Sequence, residues 1–320
     1  MNRKQQLFTI AGLTLLAACT CCTILLCKTH HKIRDEENIK TLWSTFKNSY
    51  NKKYADPDFE QYRIEVFTEN LKIIDSNCQN FGITKFMDLT QEEFKQTYLT
   101  LKTKKYIEEI PETVFNDSNG DIEIDWTMKG AVTPVKDQGK CGSCWSFSTT
   151  GAVEGAHFLS SNELVSLSEQ YLIDCSKNGN EGCNGGLMDT AFDFIAQNGI
   201  PTENAYPYKA LDGTCKMTTG PYKISSYQNI ISCNDLLSKL QKQPIAIAVD
   251  ANNFQFYTKG IFSKCGKNLD HGVLLVGYSS KDKFWKVKNS WGSSWGEDGY
   301  IRLSAGNTCG LCNQASYPIV

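Results

Sequence analysis

The chain has 320 residues, 41% of them apolar, and its 33 basic and 35 acidic side chains leave a net charge of −2. That is apolar content enough for a sizeable core, with no basic field to suggest a nucleic-acid partner. Fourteen cysteines and only four histidines narrow the chemistry further.

The chain opens with Arg3-Lys4 followed by an uncharged run over 7–27. A signal peptide needs only about 7–15 apolar residues, and this run is long enough to span a bilayer as a signal anchor. Thr9, Thr14, Thr20 and Thr23 dilute it and small residues around Ala17 offer cleavage sites, so residues 1–27 read as a signal peptide, with an uncleaved anchor as the alternative. Either outcome places the remainder on the same side of the membrane, in an oxidising compartment.

Residues 28–119 read as a separate, charged helical unit. Ile39, Leu42, Trp43 and Phe46 make one apolar stripe at helical spacing; Tyr62, Val66, Phe67, Ile73 and Ile74 make another. Taken alone, such stripes fit any small helical domain. Residues 102–120 are polar and without periodicity, as a cleavable linker would be, and Asn116-Asp-Ser118 is a glycosylation sequon.

From about Gly120 onward, after a short strand near Ile124-Asp-Trp126, the chain reads as helical in its first half and strand-rich from about Pro244. This predicts an α+β protein of two lobes with a cleft between them. In Gln138-Gly-Lys-Cys-Gly-Ser-Cys-Trp-Ser-Phe147 a cysteine stands where a helix begins. The positive end of a helix favours a thiolate, and a histidine able to hold the proton makes it a strong nucleophile, so Cys144 is the candidate. The Gln138 amide and the Cys144 N–H could together face an oxyanion.

Cys141 and Cys144 form a C-x-x-C, as do Cys309 and Cys312, which a zinc site or a redox pair would also require. The two pairs lie about 165 residues apart in a chain with a secretory start, which favours neither. From Cys141 onward there are nine cysteines, an odd number that suggests four bridges and one free thiol, Cys144.

Of the histidines, His30 and His31 follow the apolar run, and His157 sits in the Cys144 helix roughly 20 Å further along its axis, too far to act as its base. His271 remains. Residues 273–278 and 284–288 read as strands of an antiparallel hairpin centred near Lys281, which brings His271 and Asn289 within about a residue of facing one another. An amide oxygen there would fix the imidazole tautomer and leave the other ring nitrogen for Cys144.

With these residues assembled, the chain resembles the papain family of cysteine endopeptidases, cathepsin L-like, over essentially all of its length after the N-terminal segment. Arg63, Phe67, Asn70 and Ile74 match the family's spaced propeptide helix motif, with Glu60 and Asn77 each one residue off. Gly82-x-Thr84-x-Phe86-x-Asp88 matches its second propeptide motif with threonine in place of the usual asparagine. The resemblance implies a two-lobed papain-like fold under an N-terminal helical inhibitory propeptide. It assigns residues 28–119 to the propeptide and 120–320 to the mature enzyme, with a helical lobe over about 129–232 and a β-rich lobe over about 233–320.

By the same resemblance Cys144 is the nucleophile, His271 the acid/base, Asn289 its orienter and Gln138 the oxyanion donor. Trp291 would shield the His271–Asn289 bond and Trp295 would line the leaving-group side. Gly185 and Gly186 would let the substrate backbone pair as an extended strand, since glycine carries no Cβ. Leu187, Met188, Ala248, Leu269 and Asp270 would line the substrate site, with Gln314 at the floor of the pocket for the second residue before the cut. The implied bridges are Cys141 to Cys183, Cys175 to Cys215 and Cys265 to Cys309. Cys233 and Cys312 are left over and are expected to form a fourth bridge; two separately buried thiols are the alternative.

The implied activity needs no cofactor and no metal. Expected partners are protein and peptide substrates, the chain's own propeptide and cystatin-like inhibitors, with membrane contact only through residues 7–27 if they are retained, and the enzyme is expected to be a monomer in a lysosome or vacuole, or secreted. No histidine-bearing insertion lies between Cys183 and Cys215, which points to an open cleft and an endopeptidase. The competing readings are a catalytically silent member of the family acting as a binding protein, and a membrane-anchored scaffold.

Overall fold

The computed structural model describes residues 35–102, 115 and 121–320; the run over 7–27, His30, His31 and the Asn116 sequon lie outside them. Helix α1 (Glu36–Ser49) starts at Asp35, whose carboxylate accepts the Asn38 N–H at 2.8 Å, and α2 (Pro57–Ser76) starts with a proline just inside its end. A third helix, α3 (Gln91–Tyr98), opens on a reciprocal cap between Thr90 and Glu93. The inner stripes of α1 and α2 meet as expected: Trp43 and Phe46 pack with Phe67, Leu71 and Ile74, and Phe256 of the protease part joins the same cluster.

Tyr62 departs from its predicted stripe and stands 43% exposed. Its neighbour Arg63 turns inward instead. Arg63 donates to both oxygens of Glu93 at 2.6 and 2.8 Å and to the Asp88 carbonyl at 2.9 Å, so its charge is buried with partners. The Asn70 amide donates to the carbonyls of Met87 and Leu89. The polar members of the motif thus hold the segment that leads to α3, while its apolar members build the core.

Four further helices belong to the protease part: α4 (Cys144–Ser161), α5 (Glu169–Cys175), α6 (Met188–Asn198) and α7 (Cys233–Leu240). The strands are β1 (Glu123–Asp125), β2 (Ser226–Ile230), β3 (Ile245–Val249), β4 (Ile261–Phe262), β5 (His271–Ser279), β6 (Phe284–Lys288), β7 (Tyr300–Ser304) and β8 (Ala315–Ile319). They form a mixed sheet in the order β2-β8-β3-β5-β6-β7-β4, with β1 on β5.

Strand β2 precedes the stretch from Pro244 where the sequence reading begins its strands. It has an edge position and mostly exposed side chains, so Ser-Tyr-Gln-Asn-Ile carries little apolar alternation to announce it. Strand β5 is buried along all nine residues, and its pairing with β6 shifts register between Leu275 and Gly277.

The seam between helices and sheet holds a buried charged cluster. Lys136 Nζ donates to Glu154 at 2.9 Å, to Glu169 at 2.6 Å and to the Leu167 carbonyl at 3.1 Å. Lys288 of β6 reaches Thr133, which donates to the other oxygen of Glu154. Burial pushes the Glu169 carboxyl up to about 7 and the Lys288 ammonium down to about 8. At Glu154 burial also opposes the charge, but Lys136 and Lys288 outweigh it and hold the carboxyl low. A cavity of about 20 Å³ beside these groups is large enough for one water.

Disulfides join Cys141 to Cys183, Cys175 to Cys215, Cys265 to Cys309 and Cys233 to Cys312. Neither C-x-x-C is therefore closed on itself or open to a metal, and Cys144 is the free thiol among the described residues.

The cluster yields a prediction. Lys136→Met leaves Glu154 and Glu169 buried without their shared cation, and destabilises the protease part by about 3–5 kcal/mol. Denaturant unfolding of the variant against the native chain measures it; a loss under 1 kcal/mol would mean that Lys288 and solvent compensate.

Candidate active site

Cys144 is the first residue of α4 and is fully buried. The residue before it, Ser143, makes no side-chain cap, so the first-turn N–H groups are not taken by it. His271 opens β5 on the facing wall. Between the walls lies Gly272, where a Cβ would stand 3.2 Å from the Cys144 carbonyl oxygen and 3.3 Å from Met188 Sδ. A side chain here would require the helix backbone or Met188 to give by a few tenths of an ångström.

His271 Nε2 and Asn289 Oδ1 are 2.7 Å apart. The same oxygen accepts the Ser290 N–H at 2.8 Å, which fixes the amide orientation and makes Nε2 the protonated nitrogen. Nδ1 is left bare, with no hydrogen-bond partner among the described residues. Trp291 stacks on the imidazole with ring centres 4.6 Å apart and is itself wholly buried. Trp295 stands behind Trp291 at 4.9 Å, its indole N–H on the Phe254 carbonyl. The rings of Phe86, Phe94 and Tyr98 reach Trp291 rather than Trp295, so Trp295 backs the wall whose face Trp291 presents.

Gln138 Nε2 donates to the Cys141 carbonyl at 2.9 Å, while Oε1 accepts from Ser290 Oγ and Trp291 Nε1. Its amide is thereby aimed from the Cys144 wall and anchored to the Asn289 wall. Tyr208, which the sequence reading passed over, donates its hydroxyl to the Gln138 carbonyl and meets Ser143 Oγ at 2.8 Å. A tyrosine in a loop gives no sequence signal of such a task.

The propeptide crosses the cleft after α3. The Leu101 N–H donates to the Asp270 carbonyl and the Lys102 N–H to the Gly186 carbonyl, both at 3.0 Å, and Thr100 Oγ1 donates to the Gly142 carbonyl at 2.8 Å. Gly185 has φ +109°, and a Cβ there would lie 2.0 Å from the Thr100 carbonyl oxygen. Gly185 thus admits an extended chain, Gly186 pairs with it through its carbonyl, and here that chain is the protein's own. Tyr98 turns its carbonyl to His271, and Thr100 its N–H to the Cys144 sulfur.

Under this cover the pair is uncharged. Burial pushes the Cys144 thiol up to about 11 against the pull of the Gly272 and Trp145 N–H groups. Burial likewise drives His271 down to about 4 against the Asn289 bond and the nearby Tyr98 carbonyl. The sequence reading expected the helix end to favour a thiolate. That contribution is roughly 0.3–1 kcal/mol, and in the covered state it loses to desolvation.

Met188 begins α6 and Leu187 precedes it, with its N–H on Asn180 Oδ1. Ala248 pairs with Gly272 across β3 and β5 and donates its N–H to the Gln314 carbonyl. Leu269 packs against Gly310 of the later turn Thr308–Gly310. Gln314 is 6% exposed, and both ends of its amide lack a partner among the described residues.

Residues 121–319 match the papain family cysteine protease, and residues 43–94 match the cathepsin propeptide inhibitor domain (I29). The chain is similar to Cathepsin L 1 of Paramecium tetraurelia, at 44% identity over 90% of this chain and 95% of that one. It is also similar to Digestive cysteine proteinase 2 of Homarus americanus, at 43% identity over 87% and 94% of the two chains. Among solved structures, digestive procathepsin L 3 of Tenebrio molitor larval midgut superposes with a TM-score of 0.78 at 39% identity, covering 88% of this chain and 99% of that one. The recombinant stem bromelain precursor superposes with a TM-score of 0.79 at 36% identity, over 88% and 99%. The chain belongs to the papain family of cysteine proteases, as a cathepsin L-like member that carries its own propeptide inhibitor domain.

Proposed function

We propose that the protein is a zymogen whose Cys144 cuts peptide bonds within protein chains through an acyl-enzyme. His271 Nδ1 takes the thiol proton, the sulfur attacks the carbonyl carbon, and the oxyanion is met by the Cys144 N–H and Gln138 Nε2. The imidazolium then protonates the leaving amine, and water attacks the thioester with Nδ1 as base, restoring the thiol. Asn289 keeps Nε2 protonated throughout. The observation that carries this reading is the bare Nδ1 of His271 facing a cleft whose Gly186 and Asp270 carbonyls already hold an extended backbone.

Residues 28–119 serve as the inhibitory propeptide and 120–320 as the mature enzyme, with cleavage in 102–120. Residues 1–27 direct the chain into the secretory pathway, toward a lysosome, a vacuole or the outside. The mature enzyme works as a monomer open to cystatin-like inhibitors. Leu187, Met188, Ala248, Leu269 and Gln314 shape the pocket for an apolar side chain two residues before the cut.

Three outcomes test the reading. Cys144→Ser abolishes hydrolysis of a blocked dipeptidyl-arginine fluorogenic substrate and leaves the melting transition unchanged; activity above a few percent puts the nucleophile elsewhere, and an inactive native chain supports the silent binding protein. His271→Ala loses as much, Asn289→Ala less, because it orients the base without carrying the proton.

Acid should release the propeptide, and the ion pairs say where. Lys85 meets Asp137 at 2.6 Å and Lys102 meets Glu181 across the interface, whereas Asp88 is held inside the propeptide by Lys52 and Tyr54. Arg63 holds the Glu93 carboxyl below its usual range, so that pair stabilises the folded propeptide above about pH 4.3 and is lost as pH falls below it. Processing of the full chain should therefore be faster at about pH 3.5 than at pH 7, with the rise below about pH 4.3, and Glu93→Gln, which lacks the pair at every pH, should move its onset upward. Equal processing rates at both pH values for the native chain count against the switch.

Gln314→Ala removes an amide without partners from the pocket floor. Relative kcat/KM for bulky apolar side chains at the second position should rise by about 1–2 kcal/mol; an unchanged substrate series would remove Gln314 from the pocket.

A further inference from the structure

Behind the substrate wall one amide links two carboxylates. Asn252 Nδ2 donates to Asp250 Oδ1 at 2.8 Å and to Asp270 Oδ2 at 2.9 Å. Two acceptors on one atom require the NH₂ end there, so the side chain has one orientation. Asp250 is further held by the N–H groups of Asn252 and Asn268, and Asp270 Oδ1 by the Ala251 N–H. Asn252 is the single side-chain donor to the Asp270 carboxylate among the described residues.

Asp270 is placed where small movements matter. Its carbonyl accepts the Leu101 N–H of the backbone lying in the cleft, and the next residue is His271. Its own N–H is tied to the Val249 carbonyl, one residue before Asp250. Substrate shelf, base and carboxylate pair are therefore one short mechanical unit, and Asn252 is its clasp.

We propose that Asn252 is a positioning residue for the protease: by joining Asp270 to Asp250 it fixes the carbonyl that receives the substrate backbone and the start of the strand that carries His271. Without its two N–H donors the carboxylates of Asp250 and Asp270 keep only backbone donors and lose the one group that joins them. The other charges that reach Asp270 are Lys95 of α3, which leaves with the propeptide, and the Cys144 thiol when ionised. In the mature enzyme the burden thus falls on Asn252. Burial already holds the Asp270 carboxyl up to about 7, consistent with a site where a lost donor is felt near neutral pH.

The inference rests on the proposed peptidase reading, and activity of the native chain in the same assay reports on that reading separately. The test uses the full chain, activated by acid, with active enzyme counted by alkylation of the Cys144 thiol. Asn252→Ala should raise KM for a blocked dipeptide amide roughly fivefold while kcat stays within about twofold. Asn252→Asp should be worse at pH 7, where three carboxylates crowd together, and should recover toward the native KM at pH 5 as a shared proton restores a donor. A purely structural role predicts no such recovery. Native KM in Asn252→Ala, an Asn252→Asp defect equal at pH 5 and pH 7, or failure of both variants to yield a reactive thiol each overturns the proposal.

Discussion

Cys144 and His271 come from separate pieces of the fold, and their alignment depends on how closely α4 and β5 can approach. Gly272 is the constraint. A Cβ at that position would press on the Cys144 backbone and on Met188, so the absence of one sets the distance between the walls. Ser148 adds a hydrogen bond from α4 to the Val273 carbonyl at 2.7 Å, one residue further along the strand. The charged cluster of Lys136, Glu154, Glu169 and Lys288 spans the same seam. Buried charges of this kind contribute little net stability over an apolar packing, but they penalise any arrangement that separates them. The seam is thus specified by contact on one side and by electrostatics behind it.

The propeptide occupies the cleft with its backbone. It takes the Asp270 and Gly186 carbonyls with successive N–H groups and stacks aromatic edges on Trp291. Its inhibition has an electrostatic component as well. By excluding water it makes the ion pair of thiolate and imidazolium unfavourable, so the covered site is occupied and also uncharged.

Much of the site was legible in the sequence because each part has a short-range signature. The helix start at Cys144, the glycine pair 185–186 and the hairpin that carries His271 toward Asn289 are local patterns, and the odd cysteine count singled out a free thiol without any knowledge of pairing. The inward turn of Arg63 in place of Tyr62 was not legible. An apolar stripe ranks tyrosine above arginine, and the carboxylate of Glu93 with the carbonyl of Asp88, both supplied from outside the helix, reverse that order. Strand β2 was missed because an edge strand buries too little to show alternation.

The sequence by itself determined the chemistry: a thiol at a helix end, a histidine and an asparagine on one ribbon, and a helical segment upstream to cover them. Those are properties of spacing along the chain. The tertiary structure alone decided the protonation state of the covered pair, the role of Tyr208 behind Gln138, and the clasp of Asn252 between Asp250 and Asp270. Each of these depends on burial or on atoms brought together from distant positions, and desolvation and hydrogen-bond geometry are set by the packed neighbourhood of a group rather than by its place in the chain.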